Sequence, residues 1–343
     1  MSLLQPAVKR KGKYQNPIPT PVGGFHLIWK LLPLYLNNRE ETVPRKPLGP
    51  FVTDVSRYAE PPQSGLRVTW FGHSAFLLEI DGARILVDPV WEPRASPSRL
   101  FGPKRFFAPT MELDQMPRLD AVLVSHDHYD HFGATTLKQL SELSCTRQAV
   151  WVTSRGVDQR LKKLGIPEER IRGLNWTESA EVELKGVGGT VRFTSWPTRH
   201  FSGRSLRDRF STLWGSFVIE GARHRVYYGA DSGYWDGYGE IGARYDGFDL
   251  TMLEIGAFHP LWSSIHLGPE NAVRAYEQLG GAGRAGLFFP IHWGLFNLAL
   301  HGWRRPIEEV LALAEQRKLP LWFPTPGEPT ELTGTELRSM WWK

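Results

Sequence analysis

Cysteine is nearly missing from this chain: Cys145 is the only one in 343 residues. A disulfide framework is excluded, and so is a zinc site built from thiolates. Any bound metal has to be held by imidazole and carboxylate, and a reducing cytoplasmic setting is compatible with that composition. Long apolar runs are missing too. The best candidate, Phe25 to Leu36, is interrupted by Pro33 and falls short of the roughly 20 residues that span a bilayer. It also lacks the small-residue cleavage site of a signal peptide. Beyond the basic start at Lys9, Arg10, Lys11 and Lys13 there is no run of Lys and Arg, and the net charge is only +5. That argues against a track for nucleic acid, which is not an expected partner. A mild basic excess still favours anionic partners such as phosphates or phospholipid surfaces.

What remains is the composition of a globular protein with a large core, 41% hydrophobic and 22% charged. Met1 to about Ser64 reads as a Pro-rich extension with a short apolar arm, and 65–343 as the core domain. The arm, residues 25–36, has two readings: packed on the core, or lying in lipid headgroups. The core opens with short strands at Arg67–Phe71, Ala75–Ile80 and Ala83–Asp88, with Asp81-Gly82 as a hairpin turn. Further strands are expected over 149–153, 181–184, 190–196, 213–220, 225–229, 249–255 and 286–290. Helices are expected over 135–143, 157–164, 269–279 and 306–317. The class is α/β (α+β): two mixed sheets flanked by helices.

One stretch organises the rest. Ala121-Val-Leu-Val124 is a continuous apolar run, as in a strand buried on both faces. Directly after it come Ser125-His-Asp-His-Tyr-Asp-His131. Residues two apart in extended chain point the same way, so His126 and His128 can reach one point, while Asp130 and His131 address a second. Imidazole with carboxylate suits a zinc-type cation. Apolar strands also deliver His200, Asp231 and His292. The donors divide into two sets, His126/His128/His200 and Asp130/His131/His292, with Asp231 bridging both and room for a shared water. Water bound in this way has its pKa lowered from 15.7 towards about 7, and a cation pair holds both oxygens of a phosphoryl displacement. His266, just ahead of the 269–279 helix, is placed to contact a phosphate or protonate a leaving oxygen. Asp130, Asp231 and His266 are therefore the catalytic candidates. His73 and Asp88, at strand ends, are expected to support the site.

The pattern His126-x-His128-x-Asp130-His131, with His200, Asp231 and His292 downstream, resembles the metallo-β-lactamase superfamily in its hydrolase branch with a bridging Asp. Several blocks resemble, more narrowly, N-acylphosphatidylethanolamine-hydrolysing phospholipase D. They are Leu86-Val-Asp-Pro-Val-Trp91, Arg94-Ala-Ser-Pro-Ser98, Gly102-Pro-Lys-Arg-Phe106, Leu213-Trp-Gly-Ser216, Gly229-Ala-Asp-Ser-Gly-Tyr234, Glu254-Ile-Gly-Ala-Phe258, Pro269-Glu-Asn-Ala-Val273 and Ile291-His-Trp-Gly294. A weaker echo lies at Asn16-Pro-Ile-Pro19. The resemblance implies an αββα sandwich holding two Zn2+, with Mn2+ or Fe2+ as alternatives. It implies a metal-bound hydroxide that opens N-acyl phosphatidylethanolamine-like phospholipids to phosphatidic acid and N-acylethanolamine. Tyr129 and His266 match positions that contact lipid, peripheral membrane contact is expected of the apolar arm, and a homodimer is compatible with the family. Two other readings stand beside this one. The same site could open another anionic substrate, such as a phosphorylated lactone or a different phosphodiester, or the metal could be structural in a peripheral membrane-binding protein.

Overall fold

Apolar residues at every position of a strand can be accommodated only where the sheet is covered on both sides. The computed structural model, which describes residues 2–23, 26–186 and 188–343, builds two such sheets. The first contains β1 (Leu66–Trp70), β2 (Phe76–Ile80), β3 (Ala83–Val87), β4 (Ala121–Val124), β5 (Val150–Ser154) and β6 (Ile171–Leu174). The second contains β7 (Ser179–Glu183), β8 (Thr190–Trp196), β9 (Ser216–Glu220), β10 (Arg225–Tyr228), β11 (Leu250–Glu254) and β12 (Leu287–Ile291). A last strand, β13 (Pro329–Glu331), returns to the first sheet. The orders are β13-β1-β2-β3-β4-β5-β6 and β12-β11-β10-β9-β8-β7. In each sheet three pairings are antiparallel, and β3-β4-β5-β6 and β10-β11-β12 run parallel.

The strand alternation sorts side chains into two layers of core. Phe76, Leu78 and Ile80 on β2, with Val68 and Trp70 on β1, face Phe193, Phe217, Ile219, Tyr228 and Phe289 of the second sheet. The intervening Leu77, with Leu86, Val122, Val124 and Trp151, faces Leu137, Leu140, Val157 and Leu161 of the helices Ala134–Glu142 and Val157–Lys163. Each fully buried side chain of this kind contributes about 1.5–3 kcal/mol. The helices Gly268–Gln278 and Arg305–Arg317 pack against each other and against the second sheet. The layering is two sheets flanked by helices, as the strand and helix pattern implies, in the αββα order that the family resemblance implies.

Expected elements are found within a few residues of their positions; β6 is not among those expected, and three further differences have local causes. The helix Gly237–Ala243 is unheralded because three of its seven residues are glycine, which mask helical periodicity. Strand β13 follows a Pro-rich loop and pairs antiparallel with β1 at the sheet edge, where Pro329 as first residue costs little. Pro33 does not interrupt the apolar arm: His26–Leu36 is one helix, and the Pro33 carbonyl takes two hydrogen bonds from Asn37, through the backbone amide at 3.0 Å and Nδ2 at 2.8 Å. Leu32, Leu34, Tyr35 and Leu36 on this helix are exposed; residue 25 lies outside the described residues. Among the described residues, no helix is long and apolar enough to cross a membrane. The start of the chain packs on the core, with Leu4 buried in the main core cluster and Tyr14 against Trp176, Leu213 and Trp214.

One charged group is sealed under this packing. Arg67 on β1 and Glu79, its register partner on β2, form a buried ion pair that Arg84 extends at 3.1 Å. Removing one member leaves the other charge without a partner. Glu79→Ala is expected to lower unfolding stability by about 3–5 kcal/mol, read from urea denaturation; a loss under about 1 kcal/mol would show that the pair is solvated.

Candidate metal centre

Parallel strands end on the same side of a sheet, and the loops leaving those ends meet between the two sheets. β4 delivers His126, His128, Asp130 and His131; β8 delivers His200; β10 delivers Asp231; β12 delivers His292. Two backbone bonds join the sheets at this edge, from His73 N to the Trp293 carbonyl at 3.2 Å and from His292 N to the His73 carbonyl at 2.9 Å. The turns are tight: His73, Asp88, Ala230 and His292 have φ of +56, +40, +48 and +64°. Non-glycine residues there cost of order 1–3 kcal/mol each and gather at functional sites.

The donor atoms fall into two groups. His126 Nε2 is 3.0 Å from His128 Nδ1, which is 3.2 Å from His200 Nε2; Asp231 Oδ2 is 3.7 Å from His126 Nε2 and 3.5 Å from His200 Nε2. On the other side, Asp231 Oδ1 is 3.1 Å from both His131 Nε2 and His292 Nε2, and Asp130 Oδ2 is 3.6 and 3.5 Å from the same two nitrogens. A tetrahedral site with bonds of 2.0–2.1 Å has edges of about 3.3 Å. The donor spacings bracket that figure in both groups, and each takes one oxygen of Asp231.

Tautomers sharpen the test. His200 Nδ1 donates to the Ile265 carbonyl at 2.8 Å, and His131 Nδ1 to the Asp88 carboxylate at 2.7 Å. The Ser125 hydroxyl donates to Asp88, so its oxygen accepts from His126 Nδ1 at 2.9 Å. With those protons placed, the Nε2 atoms of His126, His131 and His200 present lone pairs. They are aimed at carboxylate oxygens, which also carry lone pairs. The Nε2 atoms of His131 and His292 and the Oδ1 of Asp231 are buried without a hydrogen-bond partner. Orphaned acceptors facing one another in a buried pocket need a cation or protons between them. The residues fit a pair of divalent ions.

The surrounding shell holds these ligands in place. Asp88 also accepts from the Ser125 amide at 2.7 Å and from the Tyr228 hydroxyl. Burial, with His292 beside it, pushes His73 down to about 3, so it is neutral and donates to Asp130 at 2.9 Å. Asp127 turns away from the donor groups and bonds Gly203 N, Thr212 Oγ1 and Arg160 Nε at 2.7, 2.9 and 2.7 Å. Glu254 at the end of β11 carries no expectation in the sequence, since it closes an apolar strand without a His neighbour. It is fully buried and accepts from His266 Nδ1 at 2.6 Å and the Ser232 amide at 2.7 Å. Its closeness to His266 and His292 is a matter of three-dimensional position that spacing could not reveal.

A cleft of about 420 Å³ opens over the donors. His128, Asp130, Asp231, His266 and His292 form its floor; Val22, Phe201, Trp262, Ile265 and Leu298 are apolar parts of its wall, and Arg209 adds a guanidinium. Tyr129 is elsewhere. Its hydroxyl donates to the Arg204 carbonyl at 3.0 Å, the Arg204 guanidinium lies 3.8 Å over its ring, and it lines a neighbouring cavity of about 550 Å³ with Arg94 and Arg99. His259 accepts from the Leu261 amide and His301 stacks on Phe258, in keeping with structural roles.

Comparison with known proteins agrees with this fold. The family model described as "Beta-lactamase superfamily domain" matches residues 83–293. An uncharacterized protein of Mycobacterium tuberculosis is 43% identical over 82% of this chain and 72% of its own length. The N-acyl-phosphatidylethanolamine-hydrolyzing phospholipase D 1 of Caenorhabditis elegans is 35% identical over 69% of this chain and 66% of that protein. A novel metallo hydrolase from Ignicoccus hospitalis superposes with a TM-score of 0.57 at 22% identity, over 78% of this chain and 98% of that one.

Proton competition gives a test. Burial opposes charging His131 and His292, but the facing carboxylates, Asp231 foremost, outweigh it. They hold His131 well above its ordinary value and His292 at about 10 in the metal-free chain. Both are therefore protonated below that range, and an entering cation displaces their protons. Metal affinity is expected to rise with pH between 6 and 9, by about tenfold per unit for each displaced proton. Calorimetric titration in buffers of different ionisation enthalpy measures the release; an affinity flat across that window would contradict it.

Proposed function

Because the chain belongs to the beta-lactamase superfamily and is a metal-dependent hydrolase, we propose that it is a zinc phosphodiesterase of phospholipase D type. It opens N-acyl phosphatidylethanolamine-like phospholipids to phosphatidic acid and N-acylethanolamine. The observation that carries this reading is a carboxylate shared between two donor groups at the floor of an apolar-walled cleft. The 35% identity to a worm phospholipase of that name supports the lipid class. In this reading His126, His128, His200 and Asp231 hold one ion, and Asp130, His131, His292 and Asp231 the other. Such a pair supplies Lewis acidity, making hydroxide accessible at neutral pH and neutralising charge on phosphoryl oxygens.

The chain's own residues do the rest. Two aspartates leave part of the charge of two divalent ions uncompensated, which favours an anionic phosphodiester over a neutral amide. Arg209 adds attraction for the phosphate, and Phe201, Trp262 and Leu298 exclude water and receive acyl chains. The bond that breaks joins phosphorus to the ethanolamine oxygen, which must gain a proton as it leaves. His266 is the donor: Glu254 holds its Nδ1 at 2.6 Å, leaving Nε2 for the departing oxygen. Tyr129 and its cavity, with Arg94 and Arg99, supply a second contact for lipid. Residues 1–64 act as an extension to the hydrolase domain 65–343, and the exposed Leu32, Leu34, Tyr35 and Leu36 suit contact with a phospholipid surface.

Zinc-loaded protein on vesicles containing N-acyl phosphatidylethanolamine is expected to release N-acylethanolamine and phosphatidic acid in equal amounts, measured by mass spectrometry. His266→Ala is expected to lower kcat by roughly 10²–10⁴-fold at unchanged zinc content. Intact vesicles, under conditions where another phosphodiester is hydrolysed, would overturn the lipid assignment.

A further inference from the structure

His200 lies four residues beyond the end of β8, outside any ladder, and is fully buried. A buried backbone amide and carbonyl both need partners. The neighbouring residue finds its own nearby: Arg199 N donates to Ser232 Oγ at 3.0 Å, and its carbonyl accepts from Gly233 N at 2.7 Å, tying it to the loop that carries Asp231. His200 is satisfied from a place 184 residues earlier in the chain. Its N–H donates to Asn16 Oδ1 at 2.9 Å, and its carbonyl accepts from Asn16 Nδ2 at 2.8 Å. The two bonds reproduce a ladder rung, and only one orientation of the amide can make both.

The segment around Asn16 is anchored on both sides of the cleft. Tyr14 N donates to the Phe210 carbonyl at 2.8 Å. Thr20 Oγ1 accepts from Arg199 Nε at 3.1 Å, the Pro21 carbonyl from Ser264 Oγ at 2.7 Å, and the Gly23 carbonyl from an Arg209 nitrogen at 2.9 Å. Val22 and Gly23 then stand in the cleft wall. This arm therefore ties the loop bearing His200 to the loop bearing His266.

We infer that Asn16 is a positioning residue for His200, and that the proline-rich start of the chain is part of the metal centre. The inference rests on the two-ion reading above. His200 is fixed at three points: Asn16 on its backbone N–H, Asn16 on its carbonyl, and the Ile265 carbonyl on the ring Nδ1. Without the first two, the backbone of a buried ligand loses both partners and the ring loses its aim at the position shared with His126 and His128. The ion held by Asp130, His131 and His292 makes no use of Asn16.

Titration of the metal-stripped full chain with cobalt(II), followed by visible absorption and equilibrium dialysis, separates the cases. Unmodified protein is expected to take up two equivalents. Asn16→Ala is expected to bind one of them roughly 10–100-fold more weakly and the other as before, with unchanged far-ultraviolet circular dichroism. Ser264→Ala, which cuts an arm contact without touching His200, is expected to keep both. Should Asn16→Ala not fold, Asn16→Asp decides. It keeps the acceptor but sets a carboxylate against the His200 carbonyl, so one equivalent weakens, and native affinity there would overturn the role. If the unmodified chain binds no cobalt, the two-ion reading falls and this inference with it. If the unmodified chain binds two and Asn16→Ala binds both as tightly, or Ser264→Ala weakens binding equally, the positioning role alone is wrong.

Discussion

The centre of the molecule is a set of facing acceptors built into its fold. Asp231 points its two oxygens at the Nε2 atoms of His131 and His200, whose Nδ1 protons are bonded at the opposite ring edge. In a buried pocket such an arrangement is stable only with positive charge between the groups. Everything around it serves to keep those lone pairs aimed inward. Asp88 takes the proton of His131, the Ile265 carbonyl that of His200, and Ser125 that of His126. The rings of His126, His131 and His200 thus turn their bonded Nδ1 edges away from the site and their Nε2 acceptors into it.

The αββα frame makes this affordable in conformational terms. The ligands sit in the loops that follow β4, β8, β10 and β12, so their backbone origins are set by a large core, and His200, four residues past β8, takes Asn16 as a further anchor. The left-handed residues at His73, Asp88, Ala230 and His292 are the local cost of turning so sharply at the sheet edge. Backbone bonds between His73 and His292 lock the two sheets together where the ligands meet. The same closeness brings Glu254 and His266 to the cleft, so that metal donors and a proton-carrying pair share one floor.

Much of this was legible in the sequence because it is local. The 126–131 cluster follows an apolar run, and three further donors end apolar strands, so both the layered fold and the seven candidate ligands could be read from periodicity and residue type. Glu254 could not be read, since a carboxylate closing an apolar strand looks the same whether it meets a histidine or water. Asn16 was hidden for a related reason: its partner is 184 residues away, and hydrogen bonds between side chain and distant backbone leave no spacing to detect. The continuous helix through Pro33 and the edge strand at Pro329 escaped because proline reads as a break, whereas a helix can run on with one amide bond lost and an edge position needs no donor. Tyr129, inside the cluster by sequence, faces a separate cavity, because a chain that turns sharply sends neighbouring side chains in different directions.

The central claim is that two cations share one carboxylate. Anomalous diffraction at the zinc absorption edge, from crystals of the metal-loaded protein, addresses it directly. The account predicts two peaks about 3.5–4 Å apart, one on each side of Asp231, the first among His126, His128 and His200 and the second among Asp130, His131 and His292. A single peak, or peaks that Asp231 does not touch, would contradict it.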